Sequence, residues 1–141
     1  MHDELEPFRY MGHLIRRAEQ RHVAAWQAHS PDMTNVQFAA LAVILRKPGS
    51  SQRQLGDELD LDRSTIADLV RRLEAGGLIT RTASTADRRR FELHLTEAGR
   101  AQLERGRPIA LAIEDELFGE LSPEELSALR RYLMTMLRLP A

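Results

Sequence analysis

The 141-residue sequence has no cysteine. A disulfide framework, a Cys-ligated zinc or iron–sulfur centre and a thiol switch are thereby excluded. Lysine is almost absent too: Lys47 is the only one, so nearly all of the 20 cationic side chains are arginines. Long apolar runs are missing. The longest, residues 38–45, is eight residues, against the ~20 a membrane-spanning helix needs. With Asp3, Glu4, Glu6 and Arg9 near the start, no apolar secretion segment is expected there. No glycine-rich phosphate loop, G-x-S-x-G or H-E-x-x-H occurs, so no enzyme chemistry is expected. The expectation is a soluble, cytoplasmic, single-domain protein with no membrane partner.

Charge of one sign is also lacking, since 20 basic residues face 21 acidic ones for a net charge of -1. The distribution is uneven. Residues 1–62 carry a balance of -2, residues 91–141 a balance of -3, and residues 63–90 a balance of +4. The positive stretch holds Arg63, Arg71, Arg72, Arg81, Arg88, Arg89 and Arg90 against Asp68, Glu74 and Asp87. A local basic patch can bind phosphate even in a neutral protein.

Helical patterning dominates what is there. Apolar residues recur at Phe8, Met11, Ile15, Ala18, His22 and Ala25/Trp26, which predicts a helix over residues 4–29. Ser30-Pro31-Asp32 ends it. Thr34 with Gln37 reads as a capping box opening a second helix to Arg46, and Ser51 with Gln54 opens a short third one. Asp62 or Ser64 caps a fourth helix, whose core stripe is Ile66, Leu69, Val70 and Leu73 and which Gly76-Gly77 terminates. The period then shortens: residues 78–82 and 91–95 read as two β-strands joined by a polar connector. Thr96 caps a long helix, and Ser122-Pro123-Glu124-Glu125 opens a last one to about Arg138.

Helix, turn, helix and β-hairpin in this order make a winged helix. The fold class is mainly α (α+β), a winged helix-turn-helix DNA-binding lobe with N- and C-terminal dimerisation helices. The boundaries are 1–33 for the N-terminal dimerisation helix, 34–99 for the DNA-binding lobe and 100–141 for the C-terminal helices, all in one intertwined domain. The fourth helix can enter a major groove while the hairpin reaches beside it. Opposite its core stripe lie Ser64, Asp68 and Arg71, flanked by Thr65 and Arg72, with Arg63 at its start. Ser and Thr can contact phosphate or base edges, and arginine can bind guanine bidentately. On the hairpin tip, Arg88, Arg89 and Arg90 suit the negative potential of a narrow minor groove. Asp87 would hold an arginine or the loop backbone in place. A solvated charged turn would explain the charge but not its position. A winged helix used only for protein contacts would not need the +4 segment.

Dimerisation follows from Ile109, Ile113, Leu117, Phe118, Leu121, Leu126, Leu129, Leu133, Met136 and Leu137, more apolar surface than one small lobe covers. A two-fold dimer buries it and spaces two recognition helices by roughly 34 Å.

The run Gly77-Leu78-Ile79-Thr80-Arg81, then Asp87-Arg88-Arg89, then Leu93-His94-Leu95-Thr96-Glu97-Ala98-Gly99 resembles the signature of MarR-family transcriptional regulators. The resemblance implies an obligate homodimer of intertwined terminal helices on a palindromic double-stranded DNA operator. Residues 12–20 (Gly12-His13-Leu14-Ile15-Arg16-Arg17-Ala18-Glu19-Gln20) resemble the branch that regulates aromatic-acid degradation. In such proteins a small aromatic carboxylate binds between the dimerisation helices and the DNA-binding lobe and weakens operator affinity. That implies an effector site in which Arg16 beside His22 holds the carboxylate, Trp26 and Phe38 wall the ring, and His13 adds a hydrogen bond. The alternative is an intersubunit ion pair at Arg16 and a buried backbone bond at His22, in a regulator without ligand. A metal-responsive regulator is a further alternative. Its histidines are poorly placed, because His13 points away from His22 and His29, which lie two turns apart. No cofactor and no metal are expected.

Overall fold

The computed structural model describes residues 9–140. Its elements are α1 (Met11–His29), α2 (Asn35–Arg46), α3 (Gln52–Leu59), α4 (Arg63–Ala75), β1 (Ile79–Ala83), β2 (Phe91–Leu95), α5 (Glu97–Phe118) and α6 (Pro123–Met136). The mainly α architecture with a two-stranded wing is the expected one. None of these helices is long and apolar enough to cross a membrane.

Local chemistry sets most boundaries. Thr34 with Gln37, Ser51 with Gln54 and Ser122 with Glu125 each form a complete capping box, both reciprocal bonds being present. A capping side chain contributes about 1 kcal/mol to its helix. Asp62 caps α4 by accepting the Thr65 N–H at 2.7 Å. Gly77 takes φ +75 just beyond α4, a left-handed backbone that costs glycine nothing. Strand β1 lies one residue later than the expected 78–82, and two helix boundaries also differ from expectation. Helix α1 starts at Met11 rather than near Glu4, with Tyr10 as an N-cap whose side chain makes no capping bond. No capping residue marks that point in the sequence, and residues 4–8, including the stripe residue Phe8, lie outside the described residues. Helix α6 ends at Met136 because Arg138 adopts φ 57.

Strands β1 and β2 are antiparallel, pairing Ile79 with Leu95, Arg81 with Leu93 and Ala83 with Phe91. A bridge that the periodicity does not announce adds to the base of the wing. Leu93 donates to the Ser50 carbonyl at 2.8 Å and accepts from Gly49 at 3.0 Å. The turn between α2 and α3 thus rides on the sheet.

One apolar core joins α1, the winged helix and α5. Leu41, Ile44, Leu55, Val70, Leu73, Ile79, Leu93 and Ile113 are almost wholly buried in it. Two glycines permit the approach of α5. A Cβ on Gly99 would lie 2.1 Å from the Leu78 carbonyl oxygen, and one on Gly106 would lie 2.6 Å from the Phe38 ring. Helix α6, by contrast, buries no residue. Tyr132, Leu133, Met136 and Leu137 remain 40–63% exposed, while Met11, Leu14 and Ile15 on α1 and Leu111 on α5 are also open. Among the described residues of a single chain, α1 is buried at its C-terminal end, at Ala25 and Trp26.

Candidate nucleic-acid interface and effector cleft

Helix α4 lies with Ile66, Leu69, Val70 and Leu73 in the core, which turns Arg63, Ser64, Thr65, Arg71 and Arg72 to solvent. Asp62 fastens its first turn twice, accepting the Thr65 N–H and the Ser64 hydroxyl at 3.0 Å. The Thr65 N–H, before all other donors, holds the Asp62 carboxyl below its ordinary value. Asp68 sits between two arginines. It pairs with Arg71 at 3.0 Å and with Arg72 at 3.1 Å, both guanidiniums being about 70% exposed. Exposed pairs at this spacing contribute only ~0.3–0.5 kcal/mol each, so they orient the arginines without locking them.

The wing tip is ordered by its own polar atoms. Ser84 is buried, and its hydroxyl oxygen accepts the N–H groups of Ala86 and Asp87 at 3.2 and 3.3 Å. The Asp87 carboxylate accepts the Arg89 N–H at 3.0 Å, and Arg90 closes the turn onto the Asp87 carbonyl at 3.0 Å. Of the two roles open to Asp87, the structure displays the backbone one. Arg88, Arg89 and Arg90 are exposed, and among the described residues none of them makes an ion pair. A rigid turn thus presents three uncompensated cations.

Two arginines outside the sequence-derived set belong beside them. Arg53 in the first turn of α3 and Arg81 on β1 line a cleft of about 390 Å³ together with Arg89 and Arg90. Arg81 was legible in the strand register, because it alternates with buried Ile79 and so lies on the inner face of the wing. Arg53 carried no such signal in one dimension.

Three of the five expected effector residues come together. His22, Trp26 and Phe38 line a cleft of about 270 Å³ between α1, α2 and α5, with Asn35, Ile113 and Glu114 among its other walls. The Trp26 and Phe38 rings lie 5.1 Å apart, tilted by 36°. Among the described residues the His22 ring makes no bond to the backbone; its Nε2 accepts the indole N–H of Trp26 at 3.1 Å. The ring proton of neutral His22 therefore sits on Nδ1, which faces Glu19 at 3.9 Å. Glu114 is loosely tied to Arg130 of α6 at 3.5 Å. His13 and Arg16 do not line this cleft. Arg16 is exposed and bonds His13 at 3.2 Å rather than standing beside His22, because six residues of helix separate Arg16 from His22 by about 9 Å of rise. Among the described residues, no three potential metal ligands gather into a site. His29 instead bonds Glu116 of α5 at 2.8 Å.

Comparison with known proteins fits this geometry. A model of the MarR family matches residues 32–90. The chain is 36% identical to the transcriptional regulator HosA of Escherichia coli over 113 residues, 80% of this chain and 84% of that protein. Among solved structures it is similar to Bordetella bronchiseptica BpsR, whose DNA binding is regulated by 6-hydroxynicotinic acid. That match has a TM-score of 0.85 at 35% identity and covers 89% of this chain and 91% of the other. It is similar as well to the transcriptional repressor CouR bound to a 23-mer DNA duplex, with a TM-score of 0.86 at 30% identity, covering 94% and 96% of the two chains.

Proposed function

Because this chain belongs to the MarR family of transcriptional regulators, we propose that it is a cytoplasmic homodimeric repressor, released from a palindromic operator by a small aromatic carboxylate. The observation that carries the reading is the shared exposure of α4 and the wing, with Arg71, Arg72, Arg88, Arg89 and Arg90 all open to solvent. Arg63, Ser64, Thr65 and the two α4 arginines enter the major groove. Arg88 to Arg90, on the turn held by Asp87, follow the adjacent minor groove.

A second copy covers the exposed apolar residues of α1, α5 and α6. Each 100 Å² it buries favours association by about 2.5 kcal/mol before the entropy of association is deducted. The likeness to BpsR supports an aromatic acid as effector. Its ring enters the cleft of Trp26, Phe38 and His22, and Arg16, backed by His13, meets its carboxylate where the partner's helices close over α1. The ligand acts because Phe38 belongs both to the cleft and to α2 of the DNA-binding lobe.

The test is a thermal-shift and calorimetric screen of aromatic carboxylates, 6-hydroxynicotinic acid included, followed by release of the protein from the region upstream of its own reading frame. A bound acid at ~100 times its Kd raises stability by about 2.7 kcal/mol and frees the DNA. Arg16→Ala retains DNA binding but loses release. Equal release in that variant places the carboxylate elsewhere, and a panel with neither stabilisation nor release contradicts the effector.

A further inference from the structure

The cleft between the start of α3 and the inner face of the wing has a composition that the core does not explain. Strand β1 alternates Ile79, Arg81 and Ala83 on the side that faces Leu95, Leu93 and Phe91 of β2. Ile79 and Leu93 on that side are buried. Arg81, at the next position on that side, is exposed and reaches no anion among the described residues. Arg81 is instead held by Phe91, its guanidinium carbon 4.5 Å from the ring centroid. That stack fixes the plane of the fork without neutralising it. Arg53, Arg89 and Arg90 enter the same cleft. Among the described residues these four guanidiniums make no ion pair. The N-terminus of α3 opens there as well through Ser51 and Gln52, adding the partial positive charge of a helix start.

We propose that this cleft is a clamp for the DNA sugar–phosphate backbone, in which Arg53 and Arg81 join Arg89 and Arg90 as phosphate-binding side chains. The proposal rests on the operator-binding reading above and adds to it a part that reads no bases. One sugar–phosphate strand separates the major groove that takes α4 from the minor groove that takes the wing. The clamp grips that strand, and because it spans α3 and the wing it fixes their spacing on DNA. A planar guanidinium matches two phosphate oxygens at once, and a phosphate relieves the mutual repulsion of the cluster.

The experiment measures binding against salt for Arg53→Ala and Arg81→Ala, on the duplex from upstream of the reading frame and on a scrambled duplex of equal length. Each lost phosphate contact flattens the log–log salt slope by about 0.9. Between ~50 and ~200 mM salt, that amounts to about a 3.5-fold smaller decline per residue. The flattening is expected equally on both duplexes, so the preference for the natural sequence stays unchanged. Arg53→Lys restores the slope. Unchanged melting of each variant separates the effect from misfolding, and a variant that melts early is replaced by Arg53→Gln or Arg81→Gln. A wild-type slope retained in these variants overturns the clamp, as does a loss confined to the natural duplex. A wild-type protein with flat, weak binding to both duplexes refutes the operator reading itself, a separate outcome.

Discussion

Substituting Asp68 by asparagine removes the α4 carboxylate that pairs with both Arg71 and Arg72 while keeping its shape. Asp68 holds both Arg71 and Arg72, so docking of α4 on DNA must free two guanidiniums from a carboxylate. Pairs this exposed are worth about 0.3–0.5 kcal/mol each. Their loss therefore lowers the cost of docking by roughly 0.6–1 kcal/mol, or about 3–5-fold in affinity. Asp68→Asn is expected to tighten binding to a scrambled duplex by that factor, measured by fluorescence anisotropy at ~150 mM salt. Binding to the operator tightens by less, because the pairs also aim the arginines before they meet base edges. The ratio of operator to scrambled affinity falls. Unchanged or weaker affinity for scrambled DNA would refute the idea that Asp68 restrains the arginines.

Three further outcomes are expected. Gly106→Ala places a methyl 2.6 Å from Phe38 and 2.7 Å from Met33, and such overpacking costs about 1–3 kcal/mol. Thermal melting should drop by several degrees and effector affinity should fall with it, whereas wild-type values for both would show that α5 can yield. Arg89→Ala should lose most operator affinity at moderate salt while dimer mass and melting stay as in the wild type; full affinity in a gel shift removes the wing from the minor groove. Asp62, whose carboxyl lies below its ordinary value through the Thr65 N–H, stabilises the fold above about pH 4, the unfolded value. That contribution disappears as pH falls through the folded value. Asp62→Ala should lower melting at pH 7 and flatten the acid side of the stability profile, and a curve parallel to the wild type would contradict the cap.

What the sequence made legible is mostly local. The capping boxes at Thr34, Ser51 and Ser122 declare themselves within four residues, and they are where the helices begin. Strand β2 was legible from the alternation of Phe91, Leu93 and Leu95. The wing strand and helix face carrying Arg71, Arg72 and the Arg88 to Arg90 run could be assembled from periodicity alone. Non-local contacts were not legible. Nothing in one dimension brings Arg53 and Arg89 to one cleft, or joins the Ser50 turn to Leu93. The effector residues show the same limit: His22 and Trp26 meet at helical spacing, but Arg16 is turned toward His13 by the helix itself. The start of α1 escaped because Tyr10 offers no capping chemistry to read.

In the proposed function two copies of this chain bind one operator through α4 and the wing. Sedimentation of the protein with a duplex from upstream of its own reading frame, at ~50 and ~200 mM salt, tests it most directly. Two chains per duplex, with affinity falling steeply over that interval as counterion release demands, is the expected result. One chain per duplex, or binding indifferent to salt, would contradict the account.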